Sequence, residues 1–112
     1  MNISELIPQP TQCETFKRNR LRYIPETPGC YVLTTFTKVV LYIGLTSNLR
    51  RRMNEHLDNP GKTCEMEIGR AVLFFWIKCQ EVNKIERTWL NIHIQHEGTL
   101  PKLNKIYSPT SV

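Results

Sequence analysis

Short apolar runs alternate with polar turns through the first half of the chain, and the period then changes. Residues 30–36 and 39–44 are rich in Val, Thr, Tyr, Phe and Ile, residue types that suit a pleated, half-buried strand. With the turn centred between Phe36 and Thr37, Tyr31 is placed opposite Tyr42 and Gly29 opposite Gly44. Both phenols then leave the same sheet face, because side chains alternate along a strand. The turn itself holds no Gly, Asn or Asp, the usual hairpin residues. From residue 47 apolar positions recur at Leu49, Met53 and Leu57, which predicts a helix over 47–57. Thr46 or Ser47 is the expected cap, and Asp58-Asn59-Pro60-Gly61 the stop. A turn of about 100° per residue puts Arg52 and His56 together on the border of the apolar stripe, half buried near the sheet. Arg50 and Arg51 point outward, where a solvated helix face is the plainer reading of a charge run.

The later pattern is denser. Residues 70–79 are apolar on both faces and predict a central or well-covered strand. A second helix over 83–96 buries Ile85, Trp89, Ile92 and His96, with Glu86 and His93 on its flank. Gly98 ends it. Asn83 and Glu86 have the spacing of a capping box, so Glu86 has a structural reading as well as a chemical one. His93 and His96 stand at i, i+3, whereas two zinc ligands on one helix usually stand at i, i+4. Residues 100–104 read as an extended tail able to return Asn104 to the sheet. Pro60 opens a loop reaching to about Gly69. Gly61-Lys62-Thr63 has part of a phosphate-binding loop, but the first glycine and the preceding strand are missing, so that reading is set aside.

Residues 1–12 read as loose or as a short cap. Residues 13–23 carry Lys17, Arg18, Arg20 and Arg22 among Phe16, Leu21 and Tyr23. Basic groups between aromatics can hold a phosphate backbone while rings stack on bases. A short amphipathic helix with a wet basic side is the favoured alternative. The chain divides into a basic N-terminal extension, 1–23, and one domain over 24–112.

Composition narrows the class. The 112 residues suffice for one modest core, and Lys plus Arg exceed Asp plus Glu by five. A basic small domain points to a polyanionic partner, nucleic acid first. Cys13, Cys30, Cys64 and Cys79 include no CxxC pair, so reduced, mostly buried thiols of an intracellular protein are expected, cytoplasmic or nucleoid-associated. No apolar run approaches the length of a membrane span.

Gly29-Cys30-Tyr31, Tyr42-Ile43-Gly44, Arg52 and His56 together resemble the GIY-YIG nuclease family. Over roughly residues 24–106 the resemblance places the family's metal-binding glutamate on Glu86 and its late asparagine on Asn104. Cys30 departs from the usual Ile, at a position facing away from both tyrosines. The resemblance implies an α+β fold, with a small, mainly antiparallel three-stranded sheet flanked by helices. It implies a metal-dependent endonuclease that hydrolyses DNA phosphodiester bonds by a one-metal mechanism. The implied catalytic set is Tyr31, Tyr42, Arg52, His56, Glu86 and Asn104.

Each part has a chemical rationale. The guanidinium of Arg52 suits phosphate oxygens. One Mg²⁺ (or Mn²⁺) can bind through a single carboxylate, Glu86, and stabilise the leaving 3′ oxygen. Tyr31, Tyr42 and His56 are the groups available to aim and deprotonate a water. A phenol is a weak base near neutrality unless a cation such as Arg52 lowers its pKa, and the sequence leaves open which tyrosine takes the proton. Arg50, Arg51, Lys17, Arg18, Arg20 and Arg22 are candidates for DNA backbone contacts. Specificity would come from loops, a homodimer or a targeting partner protein. The alternative function is a nucleic-acid-binding domain of the same fold with little or no turnover. Nicking of plasmid DNA with Mg²⁺ separates the two.

Overall fold

A computed structural model describes residues 1–63 and 69–106, and the side chains of these as far as Asn104. Four antiparallel strands form one sheet in the order β1-β4-β2-β3: β1 is Gln12–Thr15, β2 Gly29–Thr34, β3 Val40–Thr46 and β4 Leu73–Lys78. The helices are α1 (Leu49–Leu57), α2 (Pro60–Thr63), α3 (Val82–Glu97) and α4 (Lys102–Ile106). The expected α+β class and antiparallel sheet hold, and β4 is an inner strand as its two-faced apolar pattern predicted.

The sheet has four strands rather than three. Of residues 13–23 only 18–23 are helical, as a 3-10 helix, with Leu21 packed against the core and the arginines exposed. Gln12–Thr15 instead pairs with β4, with Gln12 opposite Trp76. Nor are residues 1–12 loose. Ile3 and Leu6 are buried, Val40 N donates to Met1 O at 2.8 Å, and Trp89 Nε1 donates to Pro8 O at 2.7 Å.

The β2–β3 hairpin pairs in a different register from the predicted one. Tyr31 is opposite Gly44, Leu33 opposite Tyr42 and Gly29 opposite Thr46, with an irregularity between Leu33 and Thr34. The turn spans residues 35–39, and Leu41 is the extra residue of a bulge. Thr35 supplies what the missing Gly or Asn would: its N donates to Val39 O at 3.0 Å and its Oγ1 accepts from Val39 N at 3.1 Å. Lys38 takes the left-handed conformation, φ 71°. The shift is two residues at Tyr31, so side-chain parity survives and both tyrosines keep one face.

Each sheet face carries its own core. Tyr31, Leu33, Tyr42 and Phe74 pack with Leu49 and Met53 of α1 and Leu103 of α4. Cys30, Val32 and Ile43 pack on the other face with Trp89 of α3. Asn48, not Thr46 or Ser47, caps α1, its side chain accepting from Arg51 N. Gly98, in the left-handed conformation, ends α3. The start of α3 moves: Glu81 is the cap residue and Val82 the first helical position. Glu86 is therefore the fifth residue of the helix, outside any capping box. The histidines exchange places, with His93 buried and His96 exposed and paired through Nε2 to Glu5 at 2.6 Å. The expected tail is the short helix α4, and Pro60–Thr63 of the expected loop is helical. Cys13, Cys30 and Cys79 are free thiols, of which Cys13 is exposed. Cys64 lies outside the described residues.

Candidate active site

The centre is built where α1 crosses the tyrosine face of the sheet. Gly29 lets the helix approach: a Cβ there would meet Ile77 O at 2.5 Å and Leu49 Cδ1 at 2.9 Å. Gly44 serves the tyrosines. A Cβ on it would meet Tyr31 Cζ and Oη at 2.5 Å and Tyr42 Cε1 at 2.8 Å. The glycine thus leaves the space in which the Tyr31 ring lies across the neighbouring strand. Tyr31 stacks between Phe74, centroids 5.2 Å apart, and Tyr42, 5.9 Å apart.

Arg52 and His56, one turn apart on α1, meet Tyr31 from above. Tyr31 Oη lies 2.6 Å from His56 Nε2 and accepts from Arg52 Nε at 3.3 Å. With the imidazole proton on Nδ1, the phenol donates to Nε2 while its oxygen accepts from Arg52. Arg52 also donates through Nη1 to Glu55 at 2.9 Å, its side chain 11% exposed. His56 stands edge-on to Tyr42 at 5.1 Å.

Burial sets the charge states. It pushes the Tyr31 phenol well above its usual range, with Tyr42 adding to the effect and Arg52 opposing it. Tyr42 rises for the same reason, moderated by Arg52. Burial, then Lys62 and Arg52, lower His56 to about 2, so the imidazole is neutral at ordinary pH. Arg52 resists its own burial through the neighbouring phenols and Glu55, which keep it protonated.

Lys62 is a member of this centre that the sequence reading passed over. Asn59 turns the chain after α1, its Oδ1 accepting from Gly61 N at 2.9 Å. The turn carries Lys62 inward to full burial, its Nζ 4.2 Å from the centroid of the Tyr42 ring. Burial and the Arg52 charge bring its pKa down to about 7. The sequence signal was a lone lysine six positions after His56, which fits no fixed motif.

Glu86 and Asn104 stand differently. Glu86 is partly buried, and burial raises its carboxyl while Arg87 opposes. Its charge acts on the Tyr42 phenol and on the Cys30 thiol, which face opposite sides of the sheet. Asn104 makes a double contact with edge strand β3: Oδ1 accepts from Ile43 N and Nδ2 donates to Ile43 O, both at 2.9 Å. It clamps the backbone beside Tyr42. No group of three or more His, Cys, Asp or Glu stands together among the described residues; the carboxylate expected from the sequence to hold a cation is Glu86. A desolvated carboxylate of this kind fits a hard ion that retains most of its waters.

The basic candidates divide by their contacts. Arg50 turns back on the chain, donating from Nε to Ile24 O at 2.8 Å and pairing with Glu26 at 3.4 Å. Arg18 bonds Asn54 and Asp58, and Arg20 pairs with Glu14 at 3.6 Å. Arg22 lies over the exposed Tyr23 ring at 5.1 Å. Arg51 is exposed and pairs with Glu55 at 3.8 Å. Lys17 is exposed. Among the described residues no helix is long and apolar enough to cross a membrane.

Known proteins are similar to this chain in sequence and in fold. The chain is 37% identical over 54 residues to UvrABC system protein C of Lactobacillus helveticus, covering 48% of this chain and 9% of that protein. With UvrABC system protein C of Methanosarcina acetivorans it shares 29% over 93 residues, covering 79% of this chain and 18% of that protein. The chain thus spans less than a fifth of either relative. In fold it is similar to the GIY-YIG N-terminal endonuclease domain of UvrC from Thermotoga maritima bound to its catalytic divalent cation, with TM-score 0.53 and 22% identity over 78% of this chain and 92% of that one. The magnesium-bound form of that domain gives a TM-score of 0.52. The family described as the GIY-YIG catalytic domain matches residues 27–98, which include both tyrosines, Arg52, His56 and Glu86, and the chain belongs to the GIY-YIG family.

Proposed function

We propose that the chain is a metal-dependent endonuclease that hydrolyses DNA phosphodiester bonds. The observation that carries this reading is the junction at Tyr31 Oη, 2.6 Å from His56 Nε2 and 3.3 Å from Arg52 Nε. Arg52 binds the non-bridging oxygens of the scissile phosphate through its planar donors. The attacking water gives its proton to the Tyr31 oxygen as Tyr31 passes its own to His56 Nε2, so no free phenolate forms. His56 is a weak acceptor at rest because burial, Lys62 and Arg52 oppose its charge. A phosphate seated on Arg52 offsets that opposition with its own negative charge. Tyr42, beside Tyr31, aims the water at phosphorus.

Glu86 would hold Mg²⁺ (or Mn²⁺), the similarity to a magnesium-bound UvrC domain supporting that choice. When bound, the ion supplies Lewis-acid stabilisation of the leaving 3′ oxygen. Asn104 acts through the β3 backbone, holding the strand that carries Tyr42. Arg51, Lys17 and Arg22 would meet backbone phosphates, since all three are exposed or over an exposed ring, while Arg18, Arg20 and Arg50 are tied to Asp58, Glu14 and Glu26.

The test is cleavage of a panel of linear and branched labelled DNAs, and nicking of plasmid, with Mg²⁺ or Mn²⁺ and with EDTA. Metal-dependent cutting that disappears in Arg52→Ala is the expected result. A second reading, DNA binding without turnover, is favoured by the covering of Tyr31 and His56, which are 0% and 2% exposed. Salt-sensitive retention of DNA with no cut product on any substrate establishes that reading instead.

A further inference from the structure

A lysine is among the side chains least often fully buried, and an ammonium is costly to remove from water. Lys62 is 0% exposed, and its nitrogen is aimed at the face of the Tyr42 ring, 4.2 Å from the centroid. Such a cation is attracted to the negative face of the aromatic ring. Tyr42 has His56 at its edge and Tyr31 stacked beside it, so its ring is held on three sides. Lys62 supplies a charged contact to its face.

We infer that Lys62 is a positioning residue of this centre: held over the Tyr42 ring, its side-chain nitrogen fixes that phenol and makes the phenol's polarity follow the lysine's own protonation. The inference rests on the endonuclease reading for its catalytic consequence, and on geometry alone for the coupling between the two side chains. A direct phosphate contact is a poor alternative, because a fully covered nitrogen cannot reach substrate without opening the fold.

The groups around Lys62 make the coupling specific. Arg52 and His56 face it from α1, and Tyr42 from β3. α4 packs on α2 and carries buried Leu103, partly buried Asn104 and exposed Lys102. Burial and Arg52 hold the lysine near a pKa of about 7, so cation and amine are both populated around neutrality. In the cationic form the ring loses electron density to the ammonium, and the phenol O–H becomes the better donor. A phosphate seated beside Arg52 favours that form.

The test uses the whole chain carrying tyrosine labelled with ¹³C at Cζ, the Tyr42 resonance being assigned with Tyr42→Phe. In the native protein this resonance should move in one step with a midpoint near 7, as Lys62 releases its proton. In Lys62→Met the step should vanish, and in Lys62→Arg it should vanish with the resonance fixed near its acidic position. Kinetics supply the second arm. Lys62→Met should lower kcat about tenfold or more with KM unchanged within about twofold, and Lys62→Arg should recover part of the loss. A lysine present for packing alone predicts the opposite, since replacing a buried charge by an apolar group of similar shape is often neutral for the fold. A step that persists in Lys62→Met, a resonance that does not move in the native protein, or a kcat untouched by Lys62→Met overturns the inference. If the native protein cuts no DNA, the endonuclease reading falls and the resonance arm alone decides on Lys62. Should Lys62→Met fail to fold, Lys62→Arg carries the same arm.

Discussion

At the scale of residues, the proposed centre separates groups that would touch the phosphate from groups that shape the protein around it. Tyr31→Phe removes one phenol from a junction with Arg52 and His56 and leaves the stacked ring in place. It should lower cleavage by about two or more orders of magnitude and change stability by about 1 kcal/mol, read from single-turnover rates and urea melts. Wild-type cutting by Tyr31→Phe makes the phenol a core group. The arginines divide differently from a simple inward and outward pair. Arg50 is tied to Ile24 O and Glu26, so Arg50→Ala should cost stability. Arg51→Ala should leave stability alone and flatten the salt dependence of DNA binding by about one counterion. Equal salt slopes for the native protein and Arg51→Ala remove that residue from the DNA interface.

At the scale of elements, legibility followed local periodicity. Arg52 and His56 were readable because 3.6-residue spacing fixes their shared border with Leu49 and Met53, and the structure puts both against Tyr31. The common face of Tyr31 and Tyr42 was readable because parity survives a two-residue shift. The register was not, since a Thr35 hydroxyl and a Leu41 bulge take the place of a glycine turn without leaving a pattern. β1 was hidden because Gln12-Cys13-Glu14-Thr15 has no apolar alternation and gains its order from β4. Lys62 was hidden because its burial depends on a tyrosine twenty residues away in sequence. The cap of α3 was placed two residues late, at Asn83 rather than Glu81, which gave Glu86 the third helical position of a capping box. Freed of that role, Glu86→Gln should fold with stability within about 1 kcal/mol of the native protein, even slightly above it, because burial already disfavours the carboxylate. It should lose Mn²⁺ binding, measured by the spin resonance of the free ion, since a neutral amide is a weak ligand for a hard cation. Undiminished Mn²⁺ binding moves the cation elsewhere. In β3, Gly44→Ala should displace the Tyr31 ring by the clash at 2.5 Å, costing about 1–3 kcal/mol as overpacking does.

At the scale of the whole molecule, the buried bases of the centre tie stability to pH. His56 is held at about 2 against an ordinary 6.5. Below 6.5 the unfolded chain takes up a proton that the folded chain refuses, so stability falls with falling pH, by up to about 1.4 kcal/mol per pH unit. Lys62 is held at about 7 against 10.5. Between those values the unfolded chain again holds the extra proton, so stability climbs as pH rises from 7, an effect opposed from about pH 8.5 by Cys13 and Cys30, whose thiols burial keeps protonated in the fold. At higher pH the sign reverses, because Tyr31 and Tyr42 resist ionisation in the fold while unfolded phenols ionise freely from about pH 10. The net charge of +5 works in the same direction as His56, self-repulsion growing as carboxylates protonate. Thermal melts across pH should therefore place the maximum of Tm on the alkaline side of neutrality, between about pH 8 and 10. His56→Asn should flatten the acid limb, and Lys62→Met the limb above 7, each leaving the other in place. A maximum near pH 5 to 6, the common position for proteins whose carboxylates dominate, contradicts the burial of both side chains and with it the charge states on which the proton path from Tyr31 to His56 depends.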